Sequence, residues 1–263
     1  DTAHRHVETW LRRHVGDRQV SVGDVTGAYA QLNVQGPRSR ELLASLTPTD
    51  LSNDGFPFRA ARWIDIGFAR ALCTRITYVG ELGYELYVPA EQAVHVYDRV
   101  VGAGAATGLV HAGLRALGSL RMEKGYRDYG HDVDNTDSVL EAGLGFAVDL
   151  SHDFLGRDAV VTGRAAGPPT RRLVQVRLTD PAPLLWHAEP VLRDGKPVGY
   201  LRAASYGHTI GGAVGLAMVD GGEPVDAAWL DAANWEVDVA GRLWPARASL
   251  KPFYDPSMAR VRA

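Results

Sequence analysis

The apolar positions of this chain change period along its length, and the changes mark out its elements. Residues 7, 10, 11 and 15 (Val7, Trp10, Leu11, Val15) recur at helical spacing and predict an amphipathic first helix. Residues 19–34 read as extended chain, and 37–46 as a short helix after the Gly36-Pro37 break. Strands are predicted at 62–66, 72–78 and 84–88. In the second of these, Leu72, Thr74, Ile76 and Tyr78 alternate with Cys73, Arg75 and Thr77. Gly80 and Gly83 are expected to reverse the chain between the last two strands. Two helices follow, over 91–101 with Val94, Tyr97, Val100 and Val101 on one face, and over 114–124. A loop rich in Asp, Asn and Gly leads to residues 138–141, where Ser138 and Glu141 have capping-box spacing.

Beyond residue 170 the period is that of strands alone. Val174, Val176 and Leu178 alternate with polar partners, Asp194-Gly195 is a hairpin signal, and 214–219 and 243–248 supply further strands. The expected fold class is α+β, with an α+β region at 1–162, a Gly- and Pro-rich linker at 163–170 and an all-β barrel at 171–263.

Composition narrows the function. A chain of 263 residues can bury a substantial core, and its net charge of -3 makes no electrostatic case for nucleic acid or an anionic membrane. No apolar run reaches the length of a membrane span, and no signal peptide is visible. One cysteine, Cys73, excludes an intrachain disulfide and fits a reducing cytoplasm. Cys73 sits on a strand with no histidine base near it in sequence, and is expected in the core. The nine histidines lack metal-ligand spacing. The glycines at 211, 212 and 215 lie in a β-rich region rather than a strand-to-helix turn, so they do not form a dinucleotide fingerprint.

The most informative carboxylate is Glu85. It falls in a predicted strand on the face opposite Leu86 and beside Tyr87, where a charge requires hydrogen-bond donors. A ligand offering two adjacent N–H groups would supply them bidentately; a glutamate on the wet face of the sheet is the plain alternative. Asp132, Asp134 and Asp137 form an acidic cluster expected to be a solvated loop; it lacks the glycine and terminal glutamate of an EF-hand.

Residues 78–85, YVGELGYE, resemble a signature of the aminomethyltransferase family, the folate-binding T-protein of glycine cleavage. So do 32–43 (LNVQGPRSRELL), 119–126 (SLRMEKGY), 129–134 (YGHDVD), 140–145 (LEAGLG), 154–159 (FLGRDA), 205–211 (SYGHTIG) and 252–256 (PFYDP), all in family order. The resemblance is strongest to the folate domains of dimethylglycine and sarcosine dehydrogenases. It implies a T-protein-like folate-binding domain followed by the family's C-terminal barrel, with tetrahydrofolate as cofactor. Glu85 matches the pterin-binding glutamate, Tyr78 an aromatic residue bordering the same pocket, and Tyr254 a C-terminal tyrosine with a folate contact.

The arginine that contacts folate in true T-proteins is replaced by Leu117, followed by Gly118, as in the methylated-glycine dehydrogenases. Arg115 and Arg121 are candidate substitutes, with a structural ion pair the favoured role for Arg121. The family's key aspartate is expected upstream of Asp1, so the catalytic residue is unassigned. The resemblance also implies that an N-terminal portion of the domain precedes Asp1; a naturally short protein is the alternative. The expected reaction captures a methylene unit from an N-methyl amine or aminomethyl donor as 5,10-methylenetetrahydrofolate. FAD is expected only in an upstream domain or subunit. Alternatives are a free-standing aminomethyltransferase fragment and a non-catalytic folate protein of iron–sulfur assembly, whose Cys-containing motif is absent around Cys73.

Overall fold

The computed structural model describes residues 4–263. It divides into two compact units, 4–113 with 257–263, and Leu114–Pro256. This division falls at Gly113/Leu114 rather than within 163–170.

In the first unit, helix α1 (His4–His14) and a 3-10 turn precede strand β1 (Tyr29–Gln35) and helix α2 (Ser39–Ala44). Strands β2 (Ala61–Ile66), β3 (Ala69–Thr74) and β4 (Gly83–Pro89) and helix α3 (Ala93–Gly104) follow. The sheet is antiparallel in the order β1-β4-β3-β2, which makes β4 an interior strand. Its alternation is that of a sheet covered on one face. Val34, Tyr84, Leu86, Val88, Cys73 and Ile64 form the core face with Leu42, Leu43, Val96 and Val100 from α2 and α3.

Three expectations shift here. Strand β3 stops at Thr74 although Arg75 still exchanges backbone bonds with Arg59 and Ala60, because Arg59 turns into the left-handed region at φ 74°. Helix α3 buries Val96, Val100 and Gly104, whereas Val94 is 71% exposed. The 3-10 turn at Ala90–Gln92 sets a helical phase that apolar spacing alone does not reveal. Gly80 has the expected turn conformation (φ 77°), but Gly83 lies in β4 for a different reason. A Cβ there would meet Gln35 Oε1 at 1.7 Å, so the glycine leaves the space that the Gln35 amide occupies, and a side chain would displace that amide.

The second unit opens with α4 (Leu114–Glu123), continues through turns to α5 (Arg157–Ala165), and then forms a barrel. Helix α5 occupies the first part of the stretch read as a linker. Strands β5 (Arg171–Leu178), β6 (Pro190–Arg193), β7 (Lys196–Gly207) and β8 (Gly212–Asp220) precede α6 (Ala227–Asp231), β9 (Trp235–Val239) and β10 (Arg242–Ser249). The six strands close in the order β10-β5-β8-β7-β6-β9, leaving no free edge. Asp194 (φ 50°) and Gly195 (φ 75°) make the tight β6–β7 turn that the sequence predicts. Val174, Val176, Leu201, Ala217 and Val237 fill the barrel. Leu173, Leu216 and Met218 point the other way, toward Met122 of α4. β8 is therefore buried on both faces, which accounts for its nearly unbroken run of small and apolar residues.

Among the described residues, no helix is long and apolar enough to cross a membrane.

Candidate functional site

The face of the first unit's sheet opposite its core carries the polar residues that the period-2 reading separated out. Glu85 lies opposite Asn33 on β1 and Thr74 on β3, and Tyr87 lies opposite Gln31 and Leu72. Leu72 in turn faces Trp63 on β2. Glu85 is half-buried, and the Tyr87 hydroxyl donates to its Oε2 at 2.7 Å. Among the described residues, Tyr87 is the one hydrogen-bond donor this carboxylate has. The bond pushes the Tyr87 phenol up to about 12; burial and the glutamate's charge act in the same direction. Thr74 Oγ1, in register with Glu85, is buried with no partner among the described residues.

Beside this pair is a cavity of about 670 Å³ whose walls include Tyr29, Trp63, Leu72 and Tyr87 from the sheet, and Val7 and Leu11 from α1. The segment 22–26 closes one side. The amphipathic face of α1 is thus turned to an open, largely apolar space rather than to a packed core, and Val7 and Leu11 remain about half exposed. Two carboxylates line the cavity that sequence reasoning did not single out. Glu8 is held by Arg12 at 2.8 Å, and Asp24 accepts the Thr26 amide at 2.9 Å. Their only sequence signal was proximity to the first helix.

The three predicted site residues fall in different places. Glu85 is on the polar face beside the cavity. Tyr78 is half-buried in the turn after β3, with no strand to orient it. Tyr254 belongs to the second unit, where it is half-buried and its amide donates to the Glu123 carbonyl at 3.3 Å. The sequence marks Tyr87 only as Glu85's neighbour on the strand.

Several motif residues of the second unit join its own elements. The buried Glu123 carboxylate accepts the Thr209 and Ile210 amides at 2.6 and 3.0 Å, and Ser119 Oγ donates to the Tyr206 carbonyl at 2.6 Å. The SLRME and SYGHT segments are thereby stitched together. Gln175 donates to the Met122 carbonyl at 2.6 Å and accepts the Phe253 amide at 2.6 Å.

The acidic cluster is not the solvated loop expected of it. Asp132 is buried and paired with Arg121, so Arg121 takes a structural role with a partner eleven residues on. The Asp137 side chain is fully buried between Arg171 (2.6 Å) and Arg202. Only Asp134 stays exposed, accepting bonds from Thr136. Ser138 and Glu141 do form the reciprocal capping bonds, at 2.7 and 3.2 Å, around a single turn rather than a helix. Among the described residues, no group of three or more His, Cys, Asp or Glu is arranged to hold a metal.

The fold and motifs define a known class. Residues 1–152 match the GCVT N-terminal domain model, and residues 171–255 the glycine cleavage T-protein C-terminal barrel domain model. The chain belongs to the glycine cleavage T-protein, or aminomethyltransferase, family. It is 41% identical to a 4-methylaminobutanoate oxidase (formaldehyde-forming) of Paenarthrobacter nicotinovorans, over 96% of this chain and 30% of the relative. It is 36% identical to the mitochondrial sarcosine dehydrogenase of Homo sapiens, over 98% of this chain and 28% of the relative. An aminomethyltransferase of Clostridium botulinum is 35% identical over 80% of this chain and 57% of its own length. The fold matches the crystal structure of the glycine cleavage system aminomethyltransferase T from Bartonella henselae. The TM-score is 0.78 at 19% identity, over 97% of this chain and 67% of that one. The chain thus spans less than a third of its oxidase and dehydrogenase relatives.

Proposed function

We propose that this chain is the tetrahydrofolate-binding part of an N-methyl amine dehydrogenase, and that it captures the one-carbon unit as 5,10-methylenetetrahydrofolate. The observation that carries this reading is the Glu85 carboxylate on an interior strand, bonded to Tyr87, which lines an aromatic-walled cavity that Glu85 itself does not line. One of its oxygens is engaged by Tyr87, and the other has no donor among the described residues. A pterin edge, with a ring N–H next to an exocyclic amine, supplies the complementary donors. Trp63 and Tyr87 offer flat surfaces to the ring system. Tyr78 and Tyr254 are proposed as further folate contacts on the strength of their motif positions alone.

The chain's contribution to the reaction is positional. Glu85, Tyr87 and Trp63 would hold bound tetrahydrofolate in place, and it would supply the nitrogens that accept the one-carbon unit. Oxidation of the N-methyl group is assigned to FAD in an upstream domain or subunit, and no proton transfer is assigned to a residue of this chain. Covalent tethering to such a domain would raise the local concentration of the intermediate.

Hydrogen bonds to a charged group contribute about 1.5–3 kcal/mol each. Glu85→Gln should therefore weaken tetrahydrofolate binding by roughly ten-fold or more in a calorimetric titration. Equal affinity of the variant and the parent would remove Glu85 from the site.

A second reading has its own support in the relative named as formaldehyde-forming, which suggests release rather than capture. Under that reading the folded chain shows no saturable binding of tetrahydrofolate at all, so the parent titration separates the two.

A further inference from the structure

The cavity between α1 and the first unit's sheet has a wall that the folate reading uses only in part. Tyr87, Leu72 and Trp63 stand in one row across β4, β3 and β2. Tyr29 on β1 is the diagonal neighbour of Tyr87 on the same face, and all four line the cavity. Two strand spacings set the Cα atoms of Tyr87 and Trp63 about 10 Å apart, and strand side chains stand roughly perpendicular to the sheet. A rounded group resting on Leu72 is then about 5 Å from either ring, within the ~6 Å reach of a cation–aromatic contact. The Tyr87 hydroxyl donates to Glu85, which leaves its ring more electron-rich and more attractive to a cation.

The fixed charges of the wall have one sign. Glu8 and Asp24 line the cavity, and among the described residues no Lys, Arg or His does. Arg12 reaches Glu8 at 2.8 Å from outside the wall, but the two side chains are 57% and 31% exposed, so solvent screens the pair. Arg70 lies 5.8 Å from the Trp63 ring, likewise outside the wall. Neither carboxylate needs to be unpaired, since the rings supply the contact and the carboxylates its sign. Aromatic faces alone would accept any flat or apolar group; the acidic residues add a preference for positive charge.

The geometry points to this cavity as a binding site for a small alkylated ammonium cation, held by Tyr29, Trp63 and Tyr87 and biased by Glu8 and Asp24. A methylated ammonium presents its charge through a rounded apolar surface, whereas a bare ammonium is strongly hydrated and enters an apolar cavity reluctantly. The site shares Tyr87 and Trp63 with the folate reading but does not rest on it, because Glu85 does not line the cavity.

The probes are choline and the neutral alcohol in which carbon replaces its nitrogen, each titrated into the whole 263-residue chain without folate. Amide resonances of residues 22–26, which border the cavity, provide the readout. Saturable choline binding is expected, roughly ten-fold tighter than that of the alcohol. Tyr29→Leu and Trp63→Leu should each raise the choline Kd by roughly five-fold. Those rings are 39% and 47% exposed, so replacing them spares the core. Trp186→Leu, which removes an exposed indole of the second unit, should leave Kd unchanged. Equal affinity for choline and the alcohol, no saturation with choline, or parental Kd in both ring variants overturns the inference. A parent that binds tetrahydrofolate but not choline loses this site alone, and one that binds choline but not tetrahydrofolate loses the folate reading alone.

Discussion

Between Glu85 and Tyr87 a single 2.7 Å hydrogen bond links a carboxylate to a phenol, and it can be read spectroscopically without any ligand. Ionising Tyr87 would sacrifice this donor and place a second negative charge beside the first, so the phenol is pushed up to about 12. Because the folded value is raised, the stabilisation is fully present below the ordinary phenol value of 10.0 and is lost as pH rises through about 12. An ultraviolet titration of the native protein should show a tyrosine ionising near 12, and Glu85→Gln should move it down toward 10.0. A tyrosine spectrum unchanged by that substitution would mean the bond does not form in solution. The sequence placed both residues on one face through strand alternation. The bond itself depends on side-chain rotamers that the period does not specify. Burial of Cys73, whose thiol is pushed up to about 12 by desolvation, was expected from its strand setting without a histidine base; alternation only set it opposite Leu72 and Ile76, and did not say which of the two faces meets the core.

Among the elements, the segment from α4 to α5 departs furthest from its sequence reading. It is rich in Asp, Asn and Gly, which ordinarily signals a solvated loop. Here buried ion pairs hold it against β5 and β7. Burial opposes ionisation of Asp137, but the hydrogen bonds and charge of Arg202, with Arg171 adding to them, outweigh it and hold the carboxyl below its ordinary value. The depressed value means stabilisation that is present above about 3.8 and lost as pH falls below it. Asp137→Asn removes the carboxylate paired with Arg202 and leaves Arg171 only Glu141, at 3.5 Å, and a loss of about 3–5 kcal/mol in urea unfolding at neutral pH is expected. The difference between variant and parent should shrink in acid, where the parental carboxylate is protonated too; a constant difference would contradict the pairing. Helix α3 shows a milder limit. Its existence was readable, but Val96 rather than Val94 is buried, since the preceding 3-10 turn and the sheet beneath set the phase.

On the scale of the whole molecule, folate binding at the proposed site is thermodynamically linked to folding. A ligand at about one hundred times its Kd stabilises the state that binds it by about 2.7 kcal/mol. Tetrahydrofolate should therefore raise the thermal midpoint of the parent chain, and raise it far less for Glu85→Gln at the same concentration. Scanning calorimetry checks this, and equal shifts for both proteins would count against Glu85. The two-part plan of α+β followed by barrel was evident in the change of hydrophobic period. The place where the chain divides into compact units was not, because α4 packs on the barrel through Met122 although its own sequence continues the α+β pattern. Hairpin chemistry, strand alternation and helix spacing depend on neighbours within a few positions, and so the elements and the polar face bearing Glu85 were determined by the sequence itself. Which cation meets which carboxylate was decided only in three dimensions. Arg171 and Arg202 lie 34 and 65 residues from Asp137, and no local periodicity carries information across such separations.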